Sequence, residues 1–176
     1  MQKASQNLSH STTQAAITTQ ASCIRDITHG ENLHIITPVN LYECTFGDNV
    51  FIGPFVEIQS DVYIGDNCRI QSHSFICSLT RIGDHCFIGH GVMFINDTFA
   101  TGAPAAHKSQ WKGAHIGSNV SIGSNATILP VHICDNVVIG AGAVVTRDIT
   151  KSGFYAGSPA KKLRPYTQAI RTSTPL

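Results

Sequence analysis

A chain of 176 residues with a formal net charge of +1 lacks the bulk positive charge that holds nucleic acid, and its length suits one domain. Only 13% of residues are charged while 42% are apolar, which is enough for a substantial core. No run approaches the roughly 20 apolar residues of a membrane-spanning helix, so no membrane partner is expected.

Residues 1–30 are rich in Ser, Thr and Gln and show no apolar repeat. They read as a loosely packed lead-in, and without the apolar core of a secretory signal the expected location is the cytoplasm. A different grammar follows. Every sixth residue from position 46 is large and apolar: Phe46, Ile52, Ile58, Ile64, Ile70, Ile76, Ile82, Ile88 and Phe94. Two positions before each rung sits a smaller residue, as in Val50, Val56, Cys68, Ser74 and Val92. The third residue after a rung is usually Asn, Asp, His or Gly (Asn49, Asp61, Asn67, His73, His85, Gly91, Asp97), the types that best tolerate a positive φ. Phe55 and Leu79 break that pattern.

A period of six is not a multiple of 3.6, so the rungs do not belong to an α-helix. One six-residue unit is a short strand and a turn, which cannot bury its apolar side alone. Three units close a triangular coil of 18 residues, and stacked coils bury the rungs. The expected class is therefore all-β, a parallel β-helix over residues 31–150.

The ladder stops after Phe94 and resumes at Ile116, Ile122 and Ile128, then slips by one residue to Ile133, Ile139 and Val145. The gap from Phe94 to Ile116 is not a multiple of six, so residues 97–113 are expected to leave the solenoid as a loop, where function often concentrates. Residues 151–176 form a tail, with a short helix expected around Lys161–Arg164 before Pro165. The six cysteines form no C-x-x-C pair and read as buried, reduced thiols. No metal is expected. Neither a Walker motif nor a dinucleotide-binding glycine motif occurs.

His90 stands outside the turn grammar. His73 and His85 occupy the third position, but His90 lies one place earlier, where the side chain points outward. A histidine there can take a proton from an ammonium, or it can simply serve a surface or subunit contact.

The ladder and the stretch from Ile133 to Ile149, followed by Ala156-Gly-Ser-Pro-Ala-Lys-Lys, resemble the hexapeptide-repeat acyltransferases. The resemblance implies a left-handed coil, acetyl-CoA as cosubstrate and a homotrimer with active sites between subunits. Relatives carry Leu-Pro-Gly where this chain has Leu129-Pro130-Val131, the place of the slip. The segment Gly89-His-Gly-Val-Met-Phe-Ile-Asn-Asp-Thr-Phe99 is similar to N-acetyltransferases acting on nucleotide-linked 3-amino sugars. A dTDP-linked 3-amino-3,6-dideoxyhexose is the acceptor it implies, serving O-antigen or S-layer glycans.

On that resemblance Asn96 and Asp97 join His90 as catalytic candidates, although both suit the turn that leaves the coil. Glu57, Gln71, His73, His107 and Trp111 become candidates for the sugar nucleotide, while a lone Trp also serves to anchor a loop. The small-sided turn Gly140-Ala141-Gly142-Ala143, with Ala156 and Gly157, would let a pantetheine arm lie on backbone. Arg147, Lys151, Lys161, Lys162 and Arg164 suit its phosphates. Three other readings remain open. They are a hydroxyl acceptor, a metal lyase of the gamma carbonic anhydrase kind using His85 and His90 with His73 or His107, and a solenoid scaffold without acetyl-CoA affinity.

Overall fold

The computed structural model describes residues 24–166. Its strands are mostly two residues long and form three parallel sheets, the three faces of a prism. The first face holds Glu57–Ile58, Phe75–Ile76, Met93–Phe94, Thr127–Ile128 and Val144–Val145. The second holds Thr45–Phe46, Tyr63–Ile64, Arg81–Ile82, His115–Ile116 and His132–Ile133. The third holds Phe51–Ile52, Arg69–Ile70, Phe87–Ile88, Ser121–Ile122 and Val137–Ile139.

Register is kept from coil to coil. Ile58 pairs with Ile76, Ile64 with Ile82, and Ile70 with Ile88. Each of these rungs therefore meets another large apolar residue one coil away, and the rungs from Phe46 to Phe94 are all buried. The smaller second ladder (Val50, Val56, Val62, Cys68 and Val92 among it) is buried beside them. Its polar members are satisfied, with Ser74 Oγ donating to the Gly89 carbonyl and Thr80 Oγ1 to that of Cys77, both at 2.8 Å.

Strands this short need strong corners. The third residue of a corner takes a positive φ, between 56° and 63° for Asn49, Asp61, Asn67, His73 and His85. Phe55 (60°) and Leu79 (73°) adopt it as well, despite their side chains, whereas Asp97 does not. The corners between the second and third faces add a side-chain staple. Asp66 Oδ1 accepts the Asp48 N–H at 2.8 Å, and Asp84 Oδ1 accepts that of Asp66 at 2.9 Å. The preceding glycine makes room, since a Cβ on Gly47 would collide with Asp66 Oδ1. The repeated Gly-Asp pairs are thus explained by stacking alone.

Three expectations change. Strands Ile24–Arg25 and Thr28–His29 already pair with Leu41–Tyr42 and Thr45–Phe46, so the β-helix starts before residue 31. Residues 1–23 of the expected lead-in, with Cys23, lie outside the described residues. The tail does not leave at 151, because Gly153–Ala156 pairs in parallel with Val137–Ile139. Lys161–Arg164 is a strand rather than a short helix and runs antiparallel to Gly153–Ala156. The physical reason is the open edge of the third sheet, whose unpaired backbone groups take a partner. The Arg164 guanidinium lies 3.5 Å over the Phe154 ring, and Lys162 Nζ donates to the Ser152 carbonyl at 2.8 Å.

The slip at Leu129-Pro130-Val131 shortens one corner to three residues and removes its positive-φ position, yet Ile116 still pairs with Ile133. Cys44, Cys68, Cys77 and Cys86 are buried free thiols and Cys134 is half-buried. Burial pushes Cys44 and Cys77 up to about 11. Among the described residues no helix is long and apolar enough to cross a membrane.

The two kinds of support differ in size. Ile76→Ala leaves a cavity at a fully buried rung and should cost about 3 kcal/mol in urea melts, whereas Asp66→Ala loses one backbone staple and should cost about 1 kcal/mol. Equal costs would mean that the core does not carry the stack.

Candidate active site

The edge between the third and first faces gathers most of the expected site. Its corners, at residues 53–56, 71–74, 89–92, 123–126 and 140–143, stack through backbone hydrogen bonds. Gly91 N–H donates to the Ser72 carbonyl at 3.0 Å, Asn125 N–H to that of His90 at 2.8 Å, and Gly142 N–H to that of Ser124 at 2.9 Å. Pro54, Ser72, His90, Ser124 and Ala141 therefore form one column, and Phe55, His73, Gly91, Asn125 and Gly142 form the next.

His90 is exposed on this edge, and its Nδ1 lies 2.8 Å from Ser72 Oγ one coil below. When Nδ1–H donates to that hydroxyl, Nε2 keeps a lone pair facing outward, the form a general base needs. Two coils above His90, roughly 10 Å along the axis, lies the Gly140–Ala143 corner. Gly140 packs close to Ala156, whose methyl a Cβ on Gly140 would meet at 2.9 Å. Gly142 (φ 68°) opens onto free space, and the Gly157 carbonyl accepts the Val144 N–H at 3.0 Å. Gly140, Ala141, Gly142, Ala143, Ala156 and Gly157 are thus brought together, above His90 on one edge. Arg147, Lys151 and Lys161 are exposed near this end, whereas Lys162 and Arg164 are engaged by the terminal hairpin.

Below His90, His73 stacks on Phe55 with ring centroids 4.9 Å apart. Gln71 is half-buried in the same corner as His73. Glu57 stands on the first face, where Gln59 Nε2 donates to its Oε1 at 3.3 Å. Gln59 Oε1 in turn accepts the Ser78 N–H at 3.2 Å.

Asn96 and Asp97 lie elsewhere. They open the extruded loop on the edge between the first and second faces, one face-width from His90. Asp97 Oδ1 accepts the Phe99 N–H at 2.9 Å and Oδ2 accepts the Ala105 N–H at 2.8 Å. The Lys112 N–H closes the base of the loop on the Asn96 carbonyl at 3.0 Å. His107 is exposed beside the short 3₁₀ turn Lys108–Gln110, and Trp111 is half-buried as the loop returns. Within one chain the structure does not bring these residues to His90.

Ser72 was not singled out in the sequence, although its place 18 residues before His90 is the signal that finds it. Nor was the pair His115 and His132, stacked at 4.6 Å on the second face above Arg81. A cavity of about 460 Å³ opens beside them, with Cys134 and Thr150 on its wall. Burial, then the charges of His132 and Arg81, lower the His115 pKa. The one-residue slip puts these histidines 17 apart and hides them from a search at 18. Among the described residues no three His, Cys, Asp or Glu side chains gather as a metal-ligand set within the chain.

Two family models match the chain. Residues 43–78 match the bacterial transferase hexapeptide (six repeats), and residues 113–147 match the hexapeptide repeat of succinyl-transferase. Both are models of hexapeptide repeats, the unit from which the coils of this chain are built. It is 34% identical over 152 residues to the galactoside O-acetyltransferase of Escherichia coli (strain K12), covering 77% of this chain and 55% of that enzyme. The chain thus spans about half the length of that relative. Among solved structures it is similar to AntD, an N-acyltransferase from Bacillus cereus in complex with dTDP and coenzyme A. The TM-score is 0.67 at 21% identity, over 80% of this chain and 84% of that one. It is also similar to the perosamine N-acetyltransferase of Caulobacter crescentus in complex with CoA and GDP-perosamine. There the TM-score is 0.58 at 23% identity, over 81% of this chain and 57% of that one. At such identities the likeness speaks for the fold, which is the left-handed parallel β-helix.

The two backbone bonds accepted by Asp97 make a direct prediction. Asp97→Ala should speed limited proteolysis between residues 98 and 112 several-fold while the far-ultraviolet spectrum stays unchanged. Unchanged cleavage would show that the carboxylate does not hold the loop.

Proposed function

We propose that this chain transfers the acetyl group of acetyl-CoA to the amino group of a nucleotide-linked amino sugar. The observation that carries the reading is the single edge on which the small-residue corner Gly140–Ala143 stands two coils above His90. Acyl transfer from a thioester needs a slot for the pantetheine arm and, within reach of its end, a group that accepts the amine proton. The free amine attacks the thioester carbonyl, a C–N bond forms and the C–S bond breaks. The amine proton passes to His90 Nε2, and the departing sulfur leaves as coenzyme A after protonation. Ser72 holds the other ring nitrogen, which keeps the imidazole oriented for that step.

Asn96 and Asp97 enter from a second copy of the chain. In a homotrimer the extruded loop of one subunit lies over the His90 edge of its neighbour, and there Asn96 binds the sugar or the thioester oxygen while Asp97 orients the amine. Arg147, Lys151 and Lys161 take the coenzyme phosphates. An amine is favoured as acceptor by the Phe-Ile-Asn-Asp segment and by the likeness to two N-acyltransferase structures. The acceptor is a dTDP-linked 3-amino-3,6-dideoxyhexose, a building block for an O-antigen or S-layer glycan. A second reading, transfer to a sugar hydroxyl, draws support from the 34% identity to galactoside O-acetyltransferase. It requires a stronger base, because a hydroxyl is the poorer nucleophile.

Thiol release from acetyl-CoA separates these readings. The panel is dTDP-3-amino-3,6-dideoxyglucose, its galactose epimer, a UDP-3-amino sugar, galactose and serine. Release with one nucleotide-linked amino sugar alone is expected, and His90→Ala should lower kcat about 100-fold or more with little change in the KM for acetyl-CoA. Release with galactose or serine alone would overturn the amine acceptor. Full activity of His90→Ala would remove the proton role of His90.

A further inference from the structure

Phe55 is the least explained residue of the site edge. Its φ of 60° is a conformation that Asn, Asp, His or Gly fills at most other corners, and a bulky aromatic there is an outlier. Phe99 and Leu79 share the irregularity, but Phe99 lies in the extruded loop away from this edge, and Leu79 is half-buried at the loop base, against Gly113. Phe55 has no such shelter. It is 56% exposed, and its aromatic partner is the His73 ring, parallel to within 12°. An exposed ring on a strained backbone helps neither stability nor solubility, so its use lies in what it touches outside the chain.

We propose that the Phe55–His73 pair is the platform on which the nucleobase of the acceptor stacks. The inference rests on the nucleotide-sugar reading above and adds to it where the nucleoside sits. His73 and Phe55 lie one and two coils below His90, so the platform begins roughly 5 Å, and ends roughly 10 Å, from the His90 coil along the axis. The hexose, the diphosphate and the pentose of a nucleotide sugar would run down this edge between amine and base. A cavity of about 270 Å³ opens beside Phe55, and Asn40 and Glu57 line it. A flat apolar ring next to a carboxylate and a carboxamide suits a base, which offers a π-face for stacking and N–H and C=O groups at its rim. A plain sugar offers no π-face, so the platform favours a nucleotide-linked acceptor over a free galactoside.

The test is isothermal titration, without acetyl-CoA, of dTDP, UDP, GDP and inorganic pyrophosphate into the parent chain and into Phe55→Ala and Phe55→Asn. At least one nucleoside diphosphate should bind more tightly than pyrophosphate, and both variants should weaken it about 10-fold or more while leaving pyrophosphate unchanged. Phe55→Asn should melt no lower than the parent, since Asn suits the positive φ, and should sediment as the same oligomer. The platform is overturned if no nucleoside diphosphate outbinds pyrophosphate, or if the variants bind it as the parent does. A lower melting point or a broken oligomer in Phe55→Asn would also overturn it, by showing that Phe55 holds the fold or a subunit contact. Thiol release with a plain sugar, without nucleotide affinity, would remove the platform and leave acyl transfer standing. Nucleotide affinity without thiol release from any acceptor would do the reverse.

Discussion

Everything in this molecule depends on one coil stacking in register on the next. A strand of two residues has almost no stability of its own, and a single coil cannot bury its rungs. Stacking supplies both needs at once. It pairs Ile58 with Ile76 and Ile64 with Ile82 in the interior, and it joins the backbones at every face and corner. The positive-φ residue found at most corners serves that stacking, because it turns the chain within four residues and returns the next strand to its column, while the three-residue corner at Leu129-Pro130-Val131 keeps the register without one.

Register inside means register outside. Residues one coil apart stand in columns about 4.8 Å apart, so the surface is a set of rows with fixed spacing. Chemistry is placed by row. Ser72 comes to lie 2.8 Å from His90 because they are one coil apart in one column, with no loop needed to aim either. The same row carries the small corner at Gly140–Ala143 above and the Phe55–His73 pair beside it below. The loop at residues 97–113 departs from this rule. It is held by its own bonds through Asp97 and Asn96, on another edge. In the proposed reading, a loop and an edge that do not meet within one chain meet between copies.

Much of this was legible in the sequence. The rungs, the smaller ladder and the positive-φ corners follow from a six-residue period that only stacked coils satisfy, and the broken spacing after Phe94 marks the loop. What escaped did so for physical reasons. His29 pairs with Phe46 across 17 residues, so counting back by sixes from Phe46 lands on the outward Asn40 and His34 and loses the first coil. The four residues Lys161–Arg164 have no period of their own, and their strand is dictated by the open edge of the third sheet, which no local pattern announces. His90 was legible as an exception to the turn grammar, while its partner Ser72 was not, because a serine in a corner looks ordinary until the layer above is known. Asp97 was legible as an Asx turn and as a catalytic group alike. Its two backbone bonds establish the first role within the chain.

The central claim is that acetyl-CoA lies along the edge that runs from Gly140–Ala143 towards His90. Hydrogen–deuterium exchange with and without acetyl-CoA tests it most directly. Slower exchange at residues 123–126 and 140–143, with the His115–His132 face unchanged, is the expected result. Protection confined to the His115–His132 face, with that edge unaffected, would contradict the claim and move the cosubstrate to the other side of the prism.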